Sequence, residues 1–351
     1  MAFAGQSVLA DPTRDHAALA QSVDRVVTTA MADPAAVGLS VAVALGDDII
    51  LSRGYGLAEV EHDVAVDAST TFRIGSVTKQ FTAAAVMRLF EAEDVHLDED
   101  MCAYLPEYPA GDEVVTLRNL LTHTSGIPNY TDQGESFWRD TARHMTHEEL
   151  LSRFVDLPLG FNPGQQWAYS NSGYYLLGMV IESVSESSYA EYMQAEFFEP
   201  LGLARMRYGS NGALIKNRAQ GYRVVDGELQ NDELISMNVP GAAGALLSNA
   251  EDLVRWQLAL VAGKVVSESS YTEMTTPFLL SDMTETTYGM GLQLGSLAGR
   301  PLVHHGGGIF GFNSYLAYLP DERISVAVIS NCEEFSSQRV SDEILRVALD
   351  I

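Results

Sequence analysis

Residues 312–331 read FNSYLAYLPDERISVAVISN. Two strand-forming runs flank Pro320-Asp321-Glu322-Arg323, so the stretch predicts two strands joined by a turn. Just ahead of it, YGMGLQLG (288–295) and RPLVHHGG (300–307) read as two more strands. The other end of the chain holds a matching unit. GLSVAVALGDDIILSRGYG (38–56) has β-rich runs on both sides of Gly46-Asp47-Asp48, which predicts a hairpin.

Between these ends the pattern is helical. Residues 78–93 (TKQFTAAAVMRLFEAE), 170–185 (SNSGYYLLGMVIESVS) and 249–263 (NAEDLVRWQLALVAG) carry helical apolar spacing. Turn clusters at HTSGIPN and LGFNPGQQ interrupt the segment 116–200, which otherwise reads as mostly helical. Residues 15–31 form an amphipathic helix through Leu19, Val23, Val26 and Val27. SDEILRVALDI closes the chain as a helix with Ser341 as its N-cap.

The expected fold class is therefore α/β in the α+β sense. One antiparallel sheet is built from both termini and flanked by helices, with a mostly helical lobe inserted between. The boundaries that follow are a flexible N-terminal segment at 1–14, a sheet region at 15–75 and 287–351, and the helical region at 76–286.

Composition bounds the function. Of 351 residues, 46% are hydrophobic and 19% charged, the balance of a globular chain. The formal net charge of −26 repels phosphate backbones and anionic lipid surfaces, so nucleic acid is excluded as a partner. It also points to a saline setting, where self-repulsion is screened. No apolar run reaches the length of a membrane span. Cys102 and Cys332 lie in no CxxC pair; one disulfide is open to them, and two buried free thiols are the leading expectation. The opening MAFAGQSVLADPTRD is either the remnant of an export signal or a polar tail. A periplasmic or secreted location and a cytoplasmic one both stay open.

Chemistry concentrates in three short motifs. In RIGSVTKQFT (73–82), Ser76 and Lys79 stand one turn apart where a helix begins. Helix-start N–H groups favour an oxyanion near Ser76 and disfavour an ammonium beside it, so a buried Lys79 becomes a base. Alone, the pair also fits a capping serine and a solvated lysine. YSNSGY adds Tyr169 and Asn171 before an apolar helix. A tyrosine beside a lysine relays a proton or is held as phenolate, and an asparagine holds the lysine or orients a substrate amide. HHGGGIFGF places His305, Gly306, Gly307 and Gly308 at a strand end, where glycines let backbone approach a ligand.

In this order, Ser76-x-x-Lys79, Tyr169-x-Asn171 and His305-x-Gly307 resemble the active-site triplet of the serine β-lactamase and penicillin-binding superfamily. The tyrosine form is similar to the branch of class C β-lactamases, D-alanyl-D-alanine carboxypeptidases and SxxK esterases. The resemblance extends through LRNLLTHTSGIPNY (117–130), FNPGQQWAYSNSGYYLLG (161–178), PLGLARMRYG (200–209) and GFNSYLAYLP (311–320). It implies Ser76 as the acylated nucleophile, Lys79 as proton acceptor or shuttle and Tyr169 as general base and donor to the leaving group. It further implies Asn171 as a support for Lys79 and substrate, His305 at the third-motif position, and an oxyanion hole from the N–H groups of Ser76 and Gly308.

One departure bears on substrate. Many β-lactamases carry a lysine where His305 stands, and a histidine is mostly neutral at pH 7. The site is therefore less committed to carboxylate-bearing β-lactams. Other chemistries fare worse. No GxSxG elbow occurs, and Ser125 beside His123 reads as a helix end with polar caps. His144 and His147 lack a third metal ligand and are expected on the surface. Trp138, Phe161 and Trp167 are candidate pocket aromatics that more often belong to a core.

The expectation is an SxxK serine hydrolase, without metal or cofactor, acting on a small ester, peptide or β-lactam. Esterase and D-aminopeptidase or D-Ala carboxypeptidase activity lead. A β-lactamase is the alternative, and a non-catalytic penicillin-binding protein is the rival of another class.

Overall fold

The computed structural model describes residues 15–106, 108 and 112–351. The flexible segment expected at 1–14 lies outside them. In chain order the strands are β1 (Gly38–Leu45), β2 (Asp48–Glu59), β3 (Val64–Ala65), β4 (Phe72–Arg73), β5 (Arg207–Tyr208), β6 (Tyr222–Val225), β7 (Glu228–Asn231) and β8 (Leu246–Ser248). They continue with β9 (Gln293–Leu297), β10 (Arg300–Ile309), β11 (Phe312–Leu319) and β12 (Ile324–Ser330). Seven form one antiparallel sheet in the order β3-β2-β1-β12-β11-β10-β9. The join between the chain's two ends is β1 on β12, with Leu39 opposite Ser330 and Leu45 opposite Ile324.

The central strands are buried on both faces, and their alternation divides large residues from small. Val41, Val43, Val326 and Val328 belong to the layer formed with helices His16–Ala30 and Ser337–Ala348. Ala42, Ala44 and Ala327 join the larger core on the opposite face, where small side chains admit helix Ala250–Val261. The Ser40 hydroxyl there accepts the Ala250 N–H at 3.1 Å. Asp15 caps the first helix, which buries Leu19, Val23 and Val27 at helical spacing.

Two boundaries differ from expectation. The last helix is capped by Ser336, and Ser341 is buried within it. Tertiary contacts fix that earlier start: Asn313 accepts the Ser337 N–H through Oδ1 and the Ser337 hydroxyl through its carbonyl, both at 3.0 Å. The strand expected from 288 begins at Gln293. Gly291 has φ +71°, and the Met290 N–H is spent on Met274 O, so residues 288–292 loop out of the sheet. Cys332 is buried as expected; Cys102 is partly exposed, and both are free thiols.

The region between the two halves of the sheet carries helices Thr78–Glu91 and Asn171–Ser185 and shorter ones. It also holds a small sheet, β4-β8-β5, and the hairpin β6–β7. That hairpin is tied to the end of β12: Tyr222 N–H donates to Asn331 O at 2.9 Å, and Glu333 N–H to Tyr222 O at 3.1 Å. Among the described residues no helix is long and apolar enough to cross a membrane.

Candidate active site

Ser76 occupies the middle of a 3-10 turn, Gly75–Val77, and the regular helix begins at Thr78. Its side chain caps nothing, so the hydroxyl stays available for chemistry. The turn lies directly on β10. Gly75 has φ +48°, and a Cβ there would meet Gly308 O at 2.8 Å. A Cβ on Gly307 would stand 2.1 Å from Ile74 O, a separation no side chain tolerates. The Ser314 hydroxyl donates to the same Ile74 oxygen at 2.8 Å. Two glycines thus let the Ser76 turn press against the strand. A Cβ on Gly308 would meet nothing within 4 Å, and Gly308 lines the cavity beside Ser76.

Lys79 is fully buried. Its Nζ lies 3.1 Å from Ser76 Oγ, 2.7 Å from Asn171 Oδ1 and 2.8 Å from Ala243 O. It also stands 4.7 Å from the centre of the Tyr169 ring. Burial drives its pKa well below the ordinary lysine value. A neutral amine here gives its two N–H groups to the carbonyl oxygens of Asn171 and Ala243. Its lone pair is then left for the Ser76 hydroxyl. The geometry suits a base acting on Ser76.

Tyr169, Ser170 and Asn171 enter the long helix Asn171–Ser185. Ser170 is its N-cap, accepting the Gly173 N–H. Asn171 is freed for Lys79, and its amide is oriented by Nδ2 donating to Thr131 Oγ1 at 3.1 Å. Burial pushes the Tyr169 phenol well above its ordinary value, while Ser76 beside it pulls in the opposite direction. Buried together, phenol and amine both favour their neutral forms.

His305 is buried behind these groups. Its Nε2 meets Tyr288 Oη at 2.9 Å and its Nδ1 meets Gly306 O at 2.6 Å. Burial first, then Lys79, lowers its pKa to about 3, so it is a neutral imidazole at pH 7. Tyr288 was not singled out from sequence; the loop that delays β9 delivers it. His123, read as part of a helix end, is buried with its ring centre 4.3 Å from that of Tyr169 and 4.7 Å from that of Tyr288. It follows helix Leu117–Leu121 with φ +59°. Its Nδ1 accepts the Ser170 N–H at 3.1 Å, which places the proton on Nε2 and fixes the turn carrying Tyr169.

Ser76, Asn171 and Gly308 open onto a cavity of about 500 Å³. Trp138 and Phe310 supply aromatic wall, their ring centres 5.4 Å apart. Trp167 instead is partly exposed, and Phe161 is not part of this lining. The far wall is polar: Arg223 from the hairpin, then Asp232 and Glu233, then Glu333 after β12. His147 lies apart, bonded to the Tyr175 hydroxyl at 2.9 Å. Among the described residues no cluster of metal-ligating side chains forms.

The family model described as Beta-lactamase matches residues 23–350. The chain is 27% identical over 311 residues to a penicillin-binding protein of Bacillus subtilis (strain 168), covering 84% of this chain and 68% of that one. It is 28% identical over 319 residues to a D-aminopeptidase of Gluconobacter oxydans (strain 621H), covering 90% of this chain and 59% of that one. A D-stereospecific amidohydrolase from Streptomyces sp. superposes with a TM-score of 0.78 at 28% identity, over 93% of this chain and 97% of that one.

Proposed function

The chain belongs to the beta-lactamase family of serine hydrolases, and we propose that it cleaves ester or amide bonds of small substrates through an acyl-Ser76 intermediate. The observation that carries the reading is the buried Lys79 Nζ, held by Asn171 and Ala243 with its third direction on Ser76 Oγ.

In this mechanism Lys79 Nζ takes the Ser76 proton as Oγ bonds to the substrate carbonyl carbon. The carbonyl electron pair moves onto oxygen, and the N–H groups of Ser76 and Gly308 receive it. As the tetrahedral intermediate collapses, the Tyr169 phenol gives its proton to the leaving oxygen or nitrogen. The Lys79 ammonium restores that proton. Water then attacks the acyl carbon, the same pair removes its proton, and Ser76 is regenerated. Tyr169 acts as a phenol relay in this scheme rather than as a standing phenolate, because its burial disfavours charge.

Two considerations guide the substrate. A neutral His305 offers no cation to a substrate carboxylate, which disfavours β-lactams. Similarity to a D-aminopeptidase and a D-stereospecific amidohydrolase favours small D-amino-acyl amides alongside short esters. The test is turnover by wild type and Ser76→Ala on a p-nitrophenyl short-chain ester, a chromogenic cephalosporin and a D-amino acid amide, with mass-spectrometric labelling by a serine-reactive phosphonate. Expected are label on Ser76 and Ser76-dependent cleavage of ester and amide, with slow cephalosporin turnover. An unlabelled, inert wild type would overturn the reading, and rapid cephalosporin hydrolysis would replace it with β-lactamase.

A further inference from the structure

Tyr169 is held on both sides by one residue outside the three motifs. The N–H of Ala168, just before it, donates to the His123 carbonyl at 2.9 Å. The N–H of Ser170, just after it, donates to His123 Nδ1 at 3.1 Å. The residues that follow His123 extend the pairing: Thr124 O accepts the Gly164 N–H and Gly126 O the Gly160 N–H, both at 2.8 Å. The grip has a backbone cost, because His123 sits at φ +59°, in the left-handed region that a β-carbon disfavours.

The His123 ring is buried in a shell of aromatics. Its centre lies 4.3 Å from that of Tyr169, 4.7 Å from Tyr288, 5.0 Å from Tyr174 and 6.1 Å from Trp167. With Nδ1 accepting, the proton of a neutral ring is on Nε2, and Nε2 is buried with no hydrogen-bond partner. The titratable groups around the ring are Tyr169, Tyr174, Tyr288, Lys79 and His305, and none of these is a carboxylate. Burial first, then Lys79 and His305, hold its pKa well below the ordinary histidine value. A second proton would have to enter on Nδ1 and would expel the Ser170 N–H.

We propose that His123 is a positioning residue for Tyr169: a permanently neutral imidazole that aims the phenol at the leaving group and so decides which leaving groups the site can expel. This rests on the proposed function for its chemistry but not for its geometry. A p-nitrophenolate departs as a stable anion and needs no proton, whereas an alkoxide or an amine takes one from Tyr169, which the Lys79 ammonium refills.

The experiment compares ethyl acetate with p-nitrophenyl acetate. Both put the same acetyl group on Ser76 and differ only in what leaves, and kcat/KM reports that acylation. His123→Leu removes the acceptor and is expected to lower kcat/KM about 100-fold for ethyl acetate but only about threefold for p-nitrophenyl acetate. His123→Asn tolerates the positive φ and carries an acceptor near the place of Nδ1, so it is expected to fold and to recover most of that loss. In a Tyr169→Phe background His123→Leu is expected to cost ethyl acetate nothing further. Equal losses on the two esters in His123→Leu, or a folded His123→Asn that has lost the wild-type ratio, would overturn the assignment. NMR of protein carrying ¹⁵N-labelled histidine needs neither turnover nor a variant. His123 is expected as the neutral Nε2–H form from about pH 5 to 9, with a slowly exchanging Ser170 amide. A ring protonated on Nδ1, or one that titrates in this range, would sink the proposal. Should the wild type be inert, the serine hydrolase reading fails while these spectra still decide the role of His123.

Discussion

Asn171→Asp tests how Lys79 is kept neutral. The change is isosteric: Oδ1 keeps its 2.7 Å contact with Nζ, and the new Oδ2 accepts from Thr131 Oγ1 where Nδ2 had donated. What it adds is a negative charge 2.7 Å from the amine. At an effective dielectric of about 20, that contact is worth roughly 6 kcal/mol, or about 4 pH units on the lysine. Asn171 is only half-buried, so solvent screens the charge, and about 2 units is the expected upward shift. The sign follows from which form works. In the proposed mechanism the neutral amine is the base and exists above the lysine pKa, so the rising limb of kcat/KM against pH moves to higher pH by about 2 units. Within the shifted window the rate falls about 100-fold, and it recovers as pH rises further. The assay is ester hydrolysis from pH 5 to 10. A loss of rate equal at every pH, with the limb unmoved, would refute the reasoning and make Asn171 a substrate ligand instead.

Four further outcomes are expected. Lys79 has a folded-state pKa below its unfolded one, so the unfolded chain binds the extra proton and stability rises with pH up to about 10.4, by about 1.4 kcal/mol per unit. Denaturant titrations should show the wild type gaining on Lys79→Met along that slope; a pH-independent difference would mean that the folded lysine is charged. Tyr169→Phe should lower kcat by two or more orders of magnitude with Tm held within a few degrees, and near-normal turnover would move the proton relay elsewhere. Gly307→Ala puts a methyl 2.1 Å from Ile74 O and should cost roughly 1–3 kcal/mol of stability along with turnover. Gly308→Ala, with open space before it, should fold normally and raise KM; equal stability losses in the two would contradict the packing described. With a net charge of −26, thermal stability should climb from 0.1 to 1 M NaCl, as the Debye length shrinks from about 10 to 3 Å, and a flat response would remove the link to salt.

What was legible in the sequence was local. Ser76 and Lys79 are three residues apart, and Tyr169 and Asn171 two, so their association needs little more than one turn of chain. The central strands were legible because burial on both faces leaves short apolar runs, 41–45 in β1 and 326–329 in β12. What escaped depends on distant partners. Ala243 O reaches Lys79 across 164 residues, and a backbone carbonyl leaves no side-chain signal. Tyr288 escaped because YGMGLQLG carries strand composition, while Gly291 and a contact with Met274 O pull its first half out of the sheet. Ser336, Ser337 and Ser341 are equally good caps by residue type, and Asn313 on a neighbouring strand decides among them.

The fastening of the Ser76 turn to β10 and β11 also sets a timetable. Ile74 O waits for the Ser314 hydroxyl, 240 residues later in the chain. At about 5–20 residues per second, a ribosome needs roughly 12 to 50 s to cover that distance. Until those strands emerge, Gly75 has no Gly308 to rest on and β1 has no β12 to pair with. A growing chain therefore carries its serine and lysine for most of its synthesis without the surface that aligns them. The surface that aligns Ser76 and Lys79 is complete only once β10, β11 and β12 have taken their places beside β1.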